Sequence, residues 1–289
     1  MTDRSRPTVD AHVHVWRSVL DYPEPGATIV SPVSDVPVSV LNEYMVEYGV
    51  DRAVLVQPIC AGEDNGYIAD LAELEPERFA AVCVVDPRAP EAVDRLEYWA
   101  RGRGCRGLRL RPKKGDEEAS FGAPVADALW QRCAELGLVV SVYAGPAHLR
   151  TLSELAARFP DVAIVVDHMA HPAPSRGAAD EEFRQLLALA RRPRVFVKVS
   201  GHHYFSDRPY PYEDCWPLVR ALYDEFGPER LIWGSDFPHV LLTCGYRRSL
   251  LLLERVHDFL ASGELGAIIG GNSAQLYWGS LEDERAVQR

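Results

Sequence analysis

Short apolar runs alternate with amphipathic segments along the chain. The apolar runs are rich in β-branched residues and nearly continuous, which is typical of strands buried on both faces. They predict strands at residues 8–16, 52–58, 79–86, 105–112, 138–145, 162–172, 194–201 and 230–239. The amphipathic segments predict helices at residues 38–48, 66–75, 90–101, 124–136, 148–158, 178–191, 213–226 and 247–261.

The order of these elements predicts the fold class. Strands and helices alternate without a Ser/Gly linker or a low-complexity tract, which indicates an α/β protein with a single (β/α)8 TIM barrel over residues 1–289. A doubly wound open sheet is the alternative. It is disfavoured because no glycine-rich phosphate loop follows the first predicted strand.

Composition and charge narrow the classes of function. The chain is 47% hydrophobic and 25% charged, with a net charge of −11 and no dense basic cluster, so we expect no nucleic-acid partner. No apolar run reaches the roughly 18 residues of a membrane span, and the first residues do not resemble a signal peptide. Six scattered cysteines without a CxxC pair indicate reduced, mostly buried thiols. We therefore expect a cytoplasmic protein without a membrane partner.

Polar side chains gather where the predicted strands end. His12 and His14 stand two apart in "DAHVHVW", so both point to the same face of the first strand. His168 lies in the sixth predicted strand and Asp236 in the eighth, and the carboxyl ends of barrel strands form the mouth of the barrel. The HxH pattern alone equally fits two histidines with ordinary hydrogen-bond partners. The clustering of His168 and Asp236 with this pair at the strand ends favours a catalytic site.

Further residues at the strand ends are candidates for binding a substrate. They are Gln57, Arg109, Arg111, Tyr143, Lys198 and His202. A guanidinium group can hold a carboxylate through two parallel hydrogen bonds, so we expect a small-molecule substrate that is anionic. Either arginine could instead form a surface ion pair, Lys198 could pair with a site carboxylate, and Tyr143 could simply close the barrel mouth. The long loop at 17–37 is expected to shape the pocket. A homo-oligomer is compatible with this sequence, which does not specify one.

Several stretches carry a resemblance to a known family. They are "VDAHVHVW", "VLVQPICAGEDNGYIADLAELEPERFAAVCVVD", "GLRLRP", "VVDHMAHP", "VFVKVSG" and "LIWGSDFPH", and they span nearly the whole chain in order. The chain resembles the amidohydrolase superfamily, and within it the amidohydrolase-2 family of lactonases and 2-pyrone-4,6-dicarboxylate hydrolases. The resemblance implies a hydrolase that opens a lactone or pyrone-type cyclic ester. It also implies that Asp236 activates water while His12, His14 and His168 polarise the carbonyl.

The sequence leaves the need for a metal open. His12, His14, His168 and Asp236 form a credible set of ligands for a single divalent ion, and zinc suits them best. Resemblance to the pyrone hydrolases implies instead that no metal is required. Many metal-dependent superfamily members carry a lysine or glutamate ligand on strand four and a histidine on strand five. Arginines and Tyr143 occupy those strands here, which disfavours a binuclear site.

Two other functions remain as alternatives. A metal-dependent decarboxylase or another carbon–carbon lyase of the same superfamily would use the same HxH pair and Asp236. It would normally need a ligand on strand five, where Tyr143 stands. A barrel that binds a ligand without turnover is the second alternative, and the complete set of histidines with Asp236 counts against it.

Overall fold

The computed structural model describes residues 6–18, 35–112, 121–122, 124–256 and 259–287. Its strands are β1 (Val9–Val13), β2 (Arg52–Val56), β3 (Phe79–Val84), β4 (Gly107–Leu110), β5 (Val139–Val142), β6 (Ala163–Val166), β7 (Val195–Val199) and β8 (Leu231–Trp233). Its α-helices are α1 (Val38–Tyr48), α2 (Gly66–Leu74), α3 (Ala92–Glu97), α4 (Asp127–Leu136), α5 (Leu149–Arg158), α6 (Glu181–Ala188), α7 (His202–Phe205), α8 (Trp216–Phe226), α9 (Tyr246–Val256), α10 (Ser262–Gly266) and α11 (Asn272–Val287). Most of the loop predicted at 17–37 lies outside the described residues.

The strands form one parallel sheet that closes on itself. Within the described residues, eight strands pair in the order β1 to β8, each with its neighbour in sequence. The segment after β8 completes the ring, because the amide of Asp236 donates to the carbonyl of His12 at 2.9 Å. The amide of His14 donates to the carbonyl of Phe237 at 2.7 Å. The structure confirms the predicted (β/α)8 barrel.

Alternate residues along the strands pack in two different layers. One set forms a cluster with the aromatic side chains of α11 and contains Val9, Ala11, Val54, Val56, Ala80, Val82, Val139, Ala163, Val165, Ile232, Tyr277 and Trp278. The other set, such as Leu55, belongs to a larger cluster with Leu41 of α1 and Ile68 of α2. Strands buried on both faces explain the nearly continuous apolar runs in the sequence.

Helix α11 was not predicted from the sequence. The indole N–H of its Trp278 donates to the carbonyl of Pro76 at 2.8 Å, just before β3 begins. The guanidinium of Arg52, at the start of β2, lies 5.2 Å from the centre of the Trp278 ring. These contacts place α11 at the amino ends of the strands, and the opposite end of the barrel remains available for a site.

Several predicted strands extend too far at their carboxyl ends. β6 stops at Val166 and β8 at Trp233, because the residues that follow leave the extended conformation: His168 has a φ of 50° and Asp236 a φ of 61°. All six cysteines are free thiols, and only Cys244 is not fully buried. Among the described residues, no helix has both the length and the apolar character that crossing a bilayer requires.

Candidate active site

Closure of the barrel places Asp236 beside the HxH pair. The carboxylate of Asp10 accepts the amides of His12 at 3.2 Å and Ser235 at 2.8 Å, and the hydroxyl of Tyr246 at 2.8 Å. It thereby ties β1 to the segment after β8. Gly234 is required in this segment, because a Cβ atom there would lie 2.8 Å from the Cβ atom of His12.

Three polar atoms from these segments converge at the mouth of the barrel. The Nε2 atoms of His12 and His14 lie 3.2 Å apart, and each lies 3.6 Å from Oδ1 of Asp236. The Nδ1 atom of His14 lies 2.7 Å from the carbonyl oxygen of Val56. A carbonyl only accepts, so His14 carries its proton on Nδ1 and presents a lone pair on Nε2 toward His12.

A buried charged group lies beneath this triangle. The Nζ atom of Lys198 lies 2.9 Å from Oδ1 of Asp167 and 2.9 Å from Nδ1 of His12. The Nε atom of Arg109 lies 3.4 Å from Oδ2 of Asp167. Burial alone would raise the pKa of Asp167, but the charge of Lys198 and the contact with His12 hold it well below its usual value. Asp167 is therefore a carboxylate that balances the buried lysine.

Burial determines the protonation of the site histidines. Burial, reinforced by the charge of Lys198, lowers the pKa of His12 to about 3. Burial also lowers the pKa values of His14 and His168, so all three imidazoles are neutral near pH 7. Burial would raise the pKa of Asp236, but its interactions with His168, His12 and His14 outweigh this effect and hold the pKa below its usual value. Asp236 is consequently ionised near pH 7.

His168 enters the site from an unusual turn after β6. Residues 168–171 all have positive φ values, from 50° to 56°, although none of them is glycine. Such left-handed conformations cost roughly 1–2 kcal/mol per residue and are found where a functional arrangement requires them. The turn brings the ring of His168 to 4.7 Å from that of His12 and exposes His171 to the same cavity. The Nδ1 atom of His168 lies 2.9 Å from the hydroxyl of Ser200.

A cavity of about 350 Å³ lies above these groups. It is lined by His14, Trp16, Pro58, Ile59, Cys60, Arg109, Arg111, Tyr143, His168, His171, Tyr204, Phe205, Asp236 and His239. The guanidinium carbons of Arg109 and Arg111 lie 5.7 Å and 5.5 Å from the centre of the Tyr143 ring. The two arginines therefore form a cationic wall that is held in place by one aromatic ring.

Three predicted binding residues do not line this cavity. The side-chain amide of Gln57 donates to the carbonyls of Gly62 and Asp64, so it stabilises the loop after β2. Lys198 is fully buried below the histidines. His202 stacks on Tyr212 with ring centres 6.3 Å apart and points into a separate small cavity. The other candidates, His12, His14, His168, Asp236, Arg109, Arg111 and Tyr143, come together at the barrel mouth.

Sequence reasoning missed Tyr204, Phe205 and Trp16. The hydroxyl of Tyr204 donates to Oδ2 of Asp236 at 2.6 Å, and Phe205 and Trp16 form part of the apolar wall of the cavity. Trp16 continues the period-two spacing of the HxH pair, which is the signal that could have identified it. Tyr204 gives no such signal, because its position depends on the turn after β7.

The donor atoms fit one divalent ion. Ligands about 2.0–2.1 Å from a tetrahedral zinc ion lie about 3.3–3.4 Å from one another. The edges of the triangle formed by His12, His14 and Asp236 measure 3.2, 3.6 and 3.6 Å. Single ligand atoms of His12, His168 and Asp236 likewise all lie within 4.8 Å of one another.

The comparisons with known proteins agree with this architecture. A family model described as Amidohydrolase matches residues 9–278. The chain belongs to the amidohydrolase family. The resemblance inferred from the sequence is thereby confirmed, and the match extends from the first strand into α11.

Named members of the amidohydrolase family are similar over most of the chain. The L-fucono-1,5-lactonase of Burkholderia ambifaria is 30% identical over 277 residues, which cover 93% of this chain and 94% of the lactonase. The 4-sulfomuconolactone hydrolase of Hydrogenophaga intermedia is 29% identical over 232 residues, covering 80% of this chain and 74% of that enzyme. A crystal structure of an amidohydrolase from Burkholderia multivorans with bound zinc has a TM-score of 0.79 at 29% identity, covering 94% of this chain and 99% of that one.

Proposed function

We propose that the protein is a carboxylic ester hydrolase that opens a lactone or pyrone-type ring. The observation that carries this proposal is the position of Asp236. Its Oδ1 atom lies 3.6 Å from the Nε2 atoms of two neutral histidines, and its side chain lines a cavity that two arginines also line. The relatives named for lactone hydrolysis are similar over most of this chain, which supports the same class of reaction here.

The proposed reaction uses Asp236 as the general base. The carboxylate takes a proton from water while the water oxygen forms a bond to the ester carbonyl carbon, and the carbonyl electron pair moves onto oxygen. The oxyanion then collapses, the bond from this carbon to the ring oxygen breaks, and the protonated Asp236 returns its proton to the leaving oxygen. The product is a ring-opened hydroxy acid from a saturated lactone, or from a pyrone an enol acid that tautomerises to the keto acid, and its new carboxyl group ionises in solution.

Of the neighbouring histidines, His168 polarises the ester carbonyl in this proposal, since Nε2 of His14 carries no proton to donate. When Ser200 donates its hydroxyl proton to Nδ1 of His168, the proton of that imidazole lies on Nε2 and is available to the carbonyl oxygen. His12, His14, His168 and Asp236 are the residues that would hold a single divalent ion. Such an ion, when bound, would act as a Lewis acid on the carbonyl, and zinc suits these ligands.

The cationic wall supports an anionic substrate. Arg109 is 95% buried and Arg111 is partly buried, so both charges lie in a cavity of low polarity despite the net charge of −11 on the chain. A substrate carboxylate could accept two hydrogen bonds from one guanidinium group. Trp16, Ile59 and Phe205 provide apolar contacts for the ring of the same molecule.

The geometry favours hydrolysis over the two alternatives. A metal-dependent decarboxylase would normally take a ligand from strand five, where Ser141 and Tyr143 point toward the site. Ser141 is fully buried beside Lys198, with its hydroxyl 3.5 Å from the lysine Nζ atom. A binding protein without turnover would not require an ionised Asp236 facing two neutral imidazoles.

A panel of cyclic esters tests the proposed function. The purified protein should open at least one lactone or pyrone, with acid release followed by a pH indicator or by mass spectrometry. The panel pairs each carboxylated ring with its neutral methyl ester and includes aromatic carboxylic acids as decarboxylase substrates. Release of CO₂ without lactone opening would show a lyase. Binding of these compounds without any turnover would show a ligand-binding barrel.

A further inference from the structure

Tyr204 contacts the carboxylate of Asp236 directly. Its hydroxyl donates to Oδ2 at 2.6 Å, while Oδ1 of the same carboxylate faces His12 and His14. A hydrogen bond from a hydroxyl to a carboxylate is among the stronger hydrogen bonds in proteins. Tyr204 is 48% exposed and lines the cavity, whereas Asp236 is 3% exposed. The two oxygens of Asp236 therefore have different surroundings.

The turn after β7 delivers Tyr204 to this position. Gly201 has a φ of +76°, and a Cβ atom there would lie 2.9 Å from both the Cβ atom of His168 and a ring carbon of Phe205. Only glycine permits so close an approach together with this backbone conformation. The short helix α7 begins at the next residue and lies against the turn after β6. Its third residue, Tyr204, consequently reaches across the barrel mouth to the segment after β8.

We propose that Tyr204 is a positioning residue that reserves Oδ1 of Asp236 for the attacking water. This inference rests on the proposed function. A carboxylate can rotate about its Cβ–Cγ bond and can receive a proton through either oxygen. Tyr204 occupies Oδ2 and prevents this rotation, so the base meets the water in one fixed orientation. Fixed orientation of a reacting group contributes to the rate without changing the affinity for the ground-state substrate.

The substitution Tyr204→Phe removes the hydroxyl and retains the ring against the cavity. We expect kcat to fall by roughly 10- to 100-fold, which corresponds to the loss of a hydrogen bond to a charged group. KM should change by less than about threefold, because the aromatic surface that contacts the substrate is preserved. A purely structural role would not separate kcat from KM in this way.

The matched control is Tyr223→Phe. The hydroxyl of Tyr223, on α8, donates to Oε1 of Glu264 at 3.1 Å, so this variant deletes the same kind of hydrogen bond away from the cavity. We expect its kcat and KM to equal those of the wild type. A second comparison introduces Tyr204→Phe into the Asp236→Asn variant. If Tyr204 acts through Asp236, the second substitution should lower the residual kcat by less than about twofold.

The outcomes separate this inference from the proposed function. A wild-type protein that opens no cyclic ester overturns both. If the wild type is active, an unchanged kcat for Tyr204→Phe overturns the positioning role alone. A raised KM with unchanged kcat would show that Tyr204 binds substrate instead. Equal losses from Tyr204→Phe in the wild-type and Asp236→Asn backgrounds would show that it acts independently of Asp236, and both results contradict the inference.

Discussion

The Nζ atom of Lys198 lies 2.9 Å from the Nδ1 atom of His12. An ammonium group only donates, so the proton of neutral His12 lies on Nε2 and points to His14. His14 in turn donates from Nδ1 to the carbonyl of Val56. This chain of hydrogen bonds satisfies the ring nitrogens of both histidines. Binding of an ion by Nε2 of His12 would require its proton to move to Nδ1 and Lys198 to give up its hydrogen bond to that atom, so that Nδ1 could donate to Oδ1 of Asp167, which lies 3.5 Å away.

The substitution Lys198→Met tests how much the buried charge of Lys198 contributes to the free energy of unfolding. It leaves the carboxylate of Asp167 buried with only the more distant Arg109 as a cation. We expect the free energy of unfolding to fall by about 3–5 kcal/mol, the usual cost of breaking a buried ion pair. Arg220→Met is the control, because the exposed pair of Arg220 and Asp224 should contribute at most about 1 kcal/mol. Equal denaturation midpoints for both variants would contradict this expectation.

The substitution Asp236→Asn tests the proposed base. Asparagine keeps the shape of the side chain and tolerates the left-handed backbone at this position, where φ is 61°. We expect kcat to fall by at least about 10²-fold with little change in substrate binding, because the group that accepts the proton from water is lost. Asp224→Asn, on the surface of α8, should retain full activity. A near wild-type kcat for Asp236→Asn would make His168 the next candidate for the base.

The barrel and the centre of the site could be predicted from the sequence for one physical reason. Strands buried on both faces leave an apolar signal, and the carboxyl ends of all barrel strands meet at one mouth. His12, His14 and Asp236 therefore converge although Asp236 lies far from the others along the chain. The backbone hydrogen bonds between β1 and the segment after β8 complete this convergence.

The features that the sequence did not predict are set by the conformation of turns, and the spacing of apolar residues along the chain carries no signal for them. The left-handed turn at 168–171 contains no glycine, so nothing in its sequence indicates that β6 ends before it. Tyr204 reaches Asp236 because of the turn at Gly201. Lys198, by contrast, forms the ion pair with a site carboxylate that the sequence allows as the alternative to substrate binding, and it lies with Asp167 below the cavity.

The substitution Arg111→Met tests the anionic substrate. Removal of this guanidinium should raise KM for a carboxylated lactone by roughly 10- to 100-fold and leave kcat nearly unchanged, because a charged hydrogen bond to the bound ground state is lost. KM for the neutral methyl ester of the same lactone should not change. Steady-state kinetics on the two esters measure the difference. Equal effects of the substitution on both would exclude a contact between Arg111 and the substrate carboxylate.

Elemental analysis tests the metal content. We expect at most one divalent ion per chain, because the two ligand groups among the described residues, one with His12 and His168 and one with His14 and His239, both need Asp236. The charges of Lys198 and Arg109 would also repel a second cation. Activity should survive chelation at least in part, as the resemblance to the pyrone hydrolases implies. Two tightly bound zinc ions, or complete and zinc-reversible loss of activity, would contradict these expectations.

The buried imidazole of His171 should make the free energy of unfolding depend on pH. Burial, reinforced by His168, lowers its pKa from 6.5 to about 4, so between these values the unfolded chain binds a proton that the folded chain does not. The free energy of unfolding should therefore decrease as the pH falls from about 6.5 to about 4. His171→Asn removes the titrating group and suits the left-handed backbone, where φ is 56°. Urea denaturation at several pH values should give a shallower decrease for this variant than for the wild type, and parallel curves would show that His171 does not contribute.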